Sequence, residues 1–147
     1  MTPYWYKARI CRVVDADSLI VTISVGFDLH LRDQSIRLYK VDACEMRGGT
    51  DDTKALAFAA KEYVQRELPV GSRVMIQTFL DGRGKFGRLL ASVFKSEGDG
   101  YSTKSINTEL LDMKLAVEYL GQNKRDIMLA HSENIRWHKE HGVLKST

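Results

Sequence analysis

The stretch IRLYKVDACE, residues 36–45, sets a β-strand directly before an acidic loop. Successive side chains of a strand point to opposite faces, so the aliphatic residues on either side of Arg37 predict one buried face and one open face. Arg37 then points to the open face, and Asp42 and Glu45 follow where the strand ends. The stretch therefore predicts a core strand that carries polar groups at one end of a sheet.

Similar strand patterns lie on both sides of this stretch. β-Branched and aromatic residues predict five strands, which are Tyr4–Val14, Leu19–Val25, His30–Val41, Arg73–Phe79 and Arg88–Lys95. Asp15–Ser18 is predicted to be the turn between the first two strands, and the glycine-rich segment 81–87 to be the loop between the last two.

Three helices are predicted from apolar spacing and end signals. The first has its N-cap among Thr50, Asp51 and Asp52 and ends near Leu68, because Pro69 cannot continue it. The second, marked by apolar residues at 106, 110, 111 and 115, ends near Gly121. The third spans Ile127–His138, with Ile127, Leu129, Ile135 and Trp137 as packing residues. Five strands with a helix between the third and fourth predict an α+β fold, an OB-fold five-stranded β-barrel with three α-helices.

Composition predicts one ordinary globular domain over residues 1–147, since 44% of the 147 residues are hydrophobic and 28% charged. The net charge of +3 permits a polyanionic partner without requiring one. Cys11 and Cys44 lack metal-type spacing and are expected to be free thiols. No apolar run reaches membrane-span length and no secretory signal begins the chain, so we expect a cytoplasmic protein without membrane contact. Secretion of a trimmed form stays open.

The candidate functional residues are two acidic pairs and two arginines: Asp15 with Asp17, Asp42 with Glu45, and Arg37 with Arg88. Each acidic pair alone is typical of a turn or a solvated loop. Both pairs can reach one face of a barrel, where neighbouring carboxylates repel unless a cation lies between them. Hard cations bind carboxylate oxygens, and the planar fork of arginine binds phosphate. Together these residues predict metal-dependent phosphodiester chemistry.

The order of these motifs resembles the staphylococcal-nuclease-like (thermonuclease) family. The matching segments are Asp15–Ser18, Ile36–Leu38, Asp42–Glu45, Phe86–Arg88, Asn107–Leu111 and Lys114–Ala116. The resemblance runs from about residue 8 to residue 119, and the tail after about residue 121 is the least well matched. It implies a monomeric, calcium-dependent nuclease that hydrolyses DNA, with RNA as an open alternative, and leaves 3′-phosphate ends.

The resemblance also implies a metal site. Asp17 and Asp42 correspond to the two carboxylate ligands of Ca²⁺, and the carbonyl of Ala43 corresponds to a backbone ligand. Asp15 corresponds to a carboxylate that lies behind these ligands.

Catalytic and substrate-binding roles follow from the same resemblance. Glu45 corresponds to the residue that activates or orients the attacking water, while Arg37 and Arg88 correspond to the pair that grips the scissile phosphate. Lys85 and Tyr119 fall near positions that contact the nucleotide.

Four residues depart from the family pattern: Ala16 and Lys114 replace glycines, Cys44 replaces a proline, and Phe86 replaces a tyrosine, which removes a hydroxyl donor to phosphate. None of the four replaces an expected metal ligand or catalytic residue. Ala16 is acceptable only if its φ is not positive. The histidines at 30, 131, 138 and 141 are expected to be solvated or capping, and Trp5 to pack at the core or rim. The rival interpretation of the chain is a non-catalytic OB-fold module that binds nucleic acid or a protein partner.

Overall fold

The computed structural model describes residues 4–79, 89–142 and 144. Its strands are β1 (Tyr4–Asp15), β2 (Ser18–Gly26), β3 (Leu29–Leu38), β4 (Val41–Asp42), β5 (Arg73–Phe79), β6 (Leu89–Glu97), β7 (Gly100–Tyr101) and β8 (Val117–Glu118). Its helices are α1 (Asp51–Glu67), α2 (Ile106–Asp112) and α3 (Lys124–Glu140).

A closed five-stranded barrel forms the body of the described chain. Its strand order is β3-β2-β1-β5-β6, with antiparallel neighbours. Residues 36–38 of β3 pair in parallel with residues 89–91 of β6, and this pairing closes the sheet. With the three helices, the predicted α+β OB-fold barrel is confirmed.

The barrel interior is aliphatic and almost free of solvent. It contains Leu19, Val21, Ile36, Leu38, Val74, Ile76, Ala91 and Val93, and it is covered by Leu56 and Val64 of α1 and Ile106 and Leu110 of α2. Each of the valine, leucine and isoleucine side chains among them stabilises the fold by about 1.5–3 kcal/mol through burial. Leu129, predicted to pack, is instead exposed, whereas Ile135 of α3 is buried as expected.

Asn107 fixes α2 against the barrel. Its buried amide donates to the carbonyls of Tyr39 and Ala91 at 3.1 Å each and accepts from the Val93 amide at 3.1 Å. Backbone groups at the end of β3 and along β6 are thereby satisfied by one side chain.

Helix starts follow side-chain N-caps. The Thr50 hydroxyl accepts a hydrogen bond from the Thr53 amide at 3.2 Å, so Thr50 is the N-cap of α1. It is one of the three residues predicted as alternatives for this position. Asn123 accepts from the Asp126 amide at 2.9 Å. This cap begins α3 at residue 124, earlier than the predicted start at residue 127, because asparagine is a strong N-cap.

The prediction that α2 ends near Gly121 is wrong, since the helix ends at Asp112. Lys114 takes a left-handed conformation with φ of 58°. The Lys114 amide donates a hydrogen bond to the carbonyl of Leu111 at 3.1 Å, and the Leu115 amide donates to the carbonyl of Leu110 at 2.9 Å. This is a Schellman ending, in which glycine normally occupies the left-handed position.

The predicted third strand is divided in two. It ends at Leu38 rather than Val41, because Lys40 has a φ of 59° and turns the chain. Residues 41–42 then form β4, which pairs antiparallel with β8 instead of continuing in the barrel.

No helix within the described residues has the length and apolar character needed to cross a membrane.

We expect Lys114→Gly to raise the free energy of unfolding by about 1 kcal/mol, because glycine adopts the left-handed conformation without steric cost. The matched control is Lys61→Gly, within α1, where glycine should lower it by about 1 kcal/mol. Urea denaturation of the two variants and the wild type measures these free energies of unfolding. Equal destabilisation by the two substitutions would contradict the assigned role of residue 114.

Candidate functional site

The site lies where the β1–β2 turn, the end of β3 and the loop after β4 meet. Ser18, the first residue of β2, pairs with Arg37 on β3. The Leu38 amide donates to the carbonyl of Asp17 at 2.9 Å. These backbone contacts place the acidic turn beside Arg37. The predicted alternation of buried and open side chains along β3 is confirmed here, since Ile36 and Leu38, on either side of Arg37, are buried.

Asp17 is the most buried carboxylate of the site, with a relative exposure of 9%. Its Oδ2 accepts from the amide of Ala43 at 3.1 Å and lies 3.9 Å from Nη2 of Arg37. Burial raises the pKa of the Asp17 carboxyl above its usual value, although the Ala43 amide and Arg37 act in the opposite direction. The carboxylates of Asp42 and Asp15 raise this pKa further. Additional positive charge beside Asp17 would therefore stabilise its ionised form.

Arg37 bridges the two acidic segments. Its Nη2 donates to the carbonyl of Val41 at 3.2 Å and to Oδ1 of Asp42 at 3.3 Å. Its guanidinium also lies 5.6 Å from the centre of the Tyr119 ring, which is 38% exposed. The structure thus brings together Asp17, Arg37, Asp42 and Tyr119.

The other predicted site residues fall in three places. Ala43 lies within the cluster through its amide, and Asp15 is half-buried at the end of β1. Glu45 is exposed in the loop that follows Asp42. Lys85 and Arg88 lie outside the described residues, as does Phe86.

His131 is a site residue that the sequence prediction missed. It is 7% exposed, and its Nε2 lies 2.9 Å from Oδ2 of Asp42. Its Nδ1 is buried and has no hydrogen-bond partner among the described residues. Asp42 is therefore held on one oxygen by Arg37 and on the other by α3.

The expectation that the histidines are solvated or capping is wrong for two of them. His131 and His138 are both buried, and Nε2 of His138 lies 2.9 Å from the carbonyl of Lys114. With Ile135 they lie at positions i, i+4 and i+7 of α3, which is the spacing of one helix face. That spacing was available in the sequence. His141 is exposed, and its Nδ1 lies 2.8 Å from the carbonyl oxygen of Trp137, as expected of a residue that ends a helix.

The donor groups suit a weakly held hard cation. Two carboxylates, from Asp17 and Asp42, and the backbone at Ala43 offer oxygen ligands, which Ca²⁺ prefers together with water. Among residues 4–79, 89–142 and 144, no three His, Cys, Asp or Glu side chains cluster as a complete metal site. Two carboxylates and one backbone carbonyl are fewer oxygen ligands than Ca²⁺ takes, so an ion held here would keep water molecules in its coordination shell.

Two departures from the family pattern are accommodated by the backbone. Ala16 is not among the described non-glycine residues with positive φ, so the turn does not require glycine there. Cys44 is 8% exposed, and burial, assisted by the Asp42 carboxylate, raises the pKa of its thiol to about 12. The side chain of Cys44 thus packs inward, while Glu45 next to it faces solvent.

Comparison with known proteins identifies one family. The family described as staphylococcal nuclease homologue matches residues 35–140. This range contains Arg37, Asp42, Ala43, Glu45 and His131, and it extends through α3, whereas the acidic turn at 15–17 precedes it. No curated protein matches the chain significantly.

We expect iodoacetamide to alkylate Cys11, which is half-exposed, at least about tenfold faster than Cys44 in the folded protein at pH 8, because alkylation requires an accessible thiolate. Mass spectrometry of timed samples measures both rates. In urea the two rates should converge. Fast labelling of Cys44 in a folded Cys11→Ser protein would show that the loop opens to solvent.

Proposed function

The chain belongs to the staphylococcal nuclease homologue family, and we propose from that membership that it is a calcium-dependent nuclease. The proposed reaction is hydrolysis of phosphodiester bonds of DNA, and of RNA as a second substrate, leaving 3′-phosphate ends. The observation that carries the proposal is the convergence of Asp17, from the β1–β2 turn, with Arg37 and Asp42, from the stretch 36–45.

The proposed metal ligands are the carboxylates of Asp17 and Asp42 and the carbonyl of Ala43. When bound, Ca²⁺ would supply positive charge that stabilises negative charge on a phosphoryl oxygen. Asp17 is suited to this role because its buried carboxylate is short of compensating charge. His131 and the Ala43 amide orient the two carboxylates from behind.

The proposed catalytic groups are Glu45, Arg37 and Arg88. Glu45, exposed beside the cluster, orients a water molecule and accepts its proton. Arg37 donates to the phosphoryl oxygens, where charge grows in the transition state, and Arg88 is proposed to do the same. Tyr119, next to Arg37, is placed to contact the nucleotide, and Lys85 is proposed as a second substrate contact.

We expect cleavage of plasmid DNA to require added Ca²⁺, with half-maximal activity at about 10⁻⁴ to 10⁻³ M, because the site offers few protein charges. Asp17→Asn should shift this midpoint upward. The measurement is a Ca²⁺ titration of cleavage, with Mg²⁺ and excess chelator as comparisons. Full activity in chelator would contradict metal dependence. DNA binding without cleavage in any divalent ion would favour the non-catalytic module.

We expect Glu45→Gln, Arg37→Lys and Arg88→Lys each to lower kcat by about 10²-fold or more, because each group acts mainly in the transition state. Glu118→Gln, an exposed carboxylate on β8, is the matched control and should leave kcat unchanged. Steady-state kinetics and urea denaturation are measured together. A loss of folding in the arginine variants would assign them to structural ion pairs instead.

We expect His131→Phe to weaken Ca²⁺ binding about 10- to 100-fold, because residues that orient metal ligands contribute on this scale. His138→Phe is the matched control, since it makes the same change on the same helix but removes a contact with a backbone carbonyl. Calorimetric titration with Ca²⁺, without substrate, measures both. Equal weakening by the two variants would mean that only the docking of α3 matters.

A further inference from the structure

A row of exposed residues runs along the outside of β1. Lys7 and Arg9 are exposed and alternate with the more buried Tyr6, Ala8 and Ile10, and Trp5, two residues before Lys7, shares their outer face of the barrel. Residues two apart on a strand are separated by about 7 Å, which lets successive cations meet successive phosphates of an extended strand.

Arg73 adds a third cation directly opposite this row. It pairs with Arg9 in the antiparallel β1–β5 register, and both arginines are exposed. Like charges directly opposite each other destabilise a sheet. Within the described part of the chain, Lys7, Arg9 and Arg73 have no carboxylate ion-pair partner, and Nη1 of Arg9 donates to the carbonyl of Gly71 at 3.1 Å. The positive charge is thus concentrated and left for an external anion.

Two adjoining grooves give this surface its shape. One, of about 540 Å³, is lined by Arg9, Arg73 and Tyr101, with Asp99 as a carboxylate at its edge. The other, of about 260 Å³, shares those first three residues and adds Lys7 and His30. The two grooves adjoin at Arg9, Arg73 and Tyr101 on the outside of the barrel.

An aromatic ring stands at the end of the row. Trp5 is 53% exposed, and its ring lies 5.4 Å from that of Phe94, so one part of it is supported while the rest faces solvent. Exposed aromatic rings beside a cationic groove bind single-stranded nucleic acid by stacking on bases, which an acidic polypeptide lacks.

We propose that Trp5, Lys7, Arg9 and Arg73, named here the β1 cationic surface, bind the phosphodiester backbone of single-stranded nucleic acid away from the cleavage site. Arg73 is the first residue of β5, at the cationic surface. The cleavage site lies at the other end of β5, because Arg37 pairs with Leu90 of β6, and Leu90 pairs with Phe79, the last residue of β5. The two places are thus about 20 Å apart along the strand. The binding itself does not require cleavage, but the choice of nucleic acid rests on the proposed function.

The test compares Lys7→Gln/Arg73→Gln with Arg125→Gln/Arg136→Gln, a control that removes the same charge from exposed positions of α3. Fluorescence anisotropy with a labelled 30-nucleotide oligothymidine, in chelator to prevent cleavage, measures Kd between 50 and 200 mM salt. We expect Kd to rise roughly tenfold at 50 mM salt in the β1 variant, with the salt slope reduced by about 1.4 for two lost phosphate contacts. The melting temperature should stay equal or rise, because one arginine of a facing pair is removed.

Cleavage assays separate this surface from the catalytic site. A p-nitrophenyl phosphodiester of a single nucleotide occupies only the cleavage site, so its kcat/KM should be equal in wild type and the β1 variant, while KM for the 30-nucleotide strand rises. If the wild type hydrolyses neither substrate, the nuclease proposal fails and the anisotropy measurement still decides the binding proposal. Absence of oligonucleotide binding by the wild type, equal loss in the control, or equally tight binding of polyglutamate would each overturn it.

Discussion

The hydrogen bond between the amide of Ala43 and the buried carboxylate of Asp17 is the contact on which the site depends. A carboxylate that has lost most of its water needs donors, and an amide fixed in a loop provides one at little entropic cost. The bond joins two loops that belong to different parts of the barrel. Removing either partner would leave a buried polar group unsatisfied, so the position of one loop determines that of the other.

Barrel closure makes this contact possible. The parallel pairing of β3 with β6 holds the end of β3 in place, and the left-handed conformation of Lys40 then turns the chain into the loop that contains Ala43. Arg37, the last charged side chain before this turn, lies between the two carboxylates for the same reason. The chemistry of the site is therefore a result of where the strand stops.

Local sequence patterns predict the barrel strands and α1, because alternation and N-capping act over a few residues. The ending of α2 could not be predicted, since lysine seldom adopts the left-handed conformation found at Lys114. The contact of His131 with Asp42 spans 89 residues and depends on how α3 docks, although its helical spacing with His138 was visible. The positions of the acidic motifs at a turn and at a strand end predicted that Asp17 and Asp42 meet, and Arg37 lies between them. The metal-binding, catalytic and substrate-binding roles of the site residues stay predictions.

The docking of α3 has a consequence for the order in which the protein is made. The barrel is complete by residue 97, but His131 and His138, which hold Asp42 and the Lys114 carbonyl, are synthesised afterwards. During synthesis the N-terminal part of a chain leaves the ribosome first. A growing chain therefore contains every strand of the barrel before α3 is available to support Asp42. The contacts that α3 makes with Asp42 and Lys114 are therefore the last part of the site that can form.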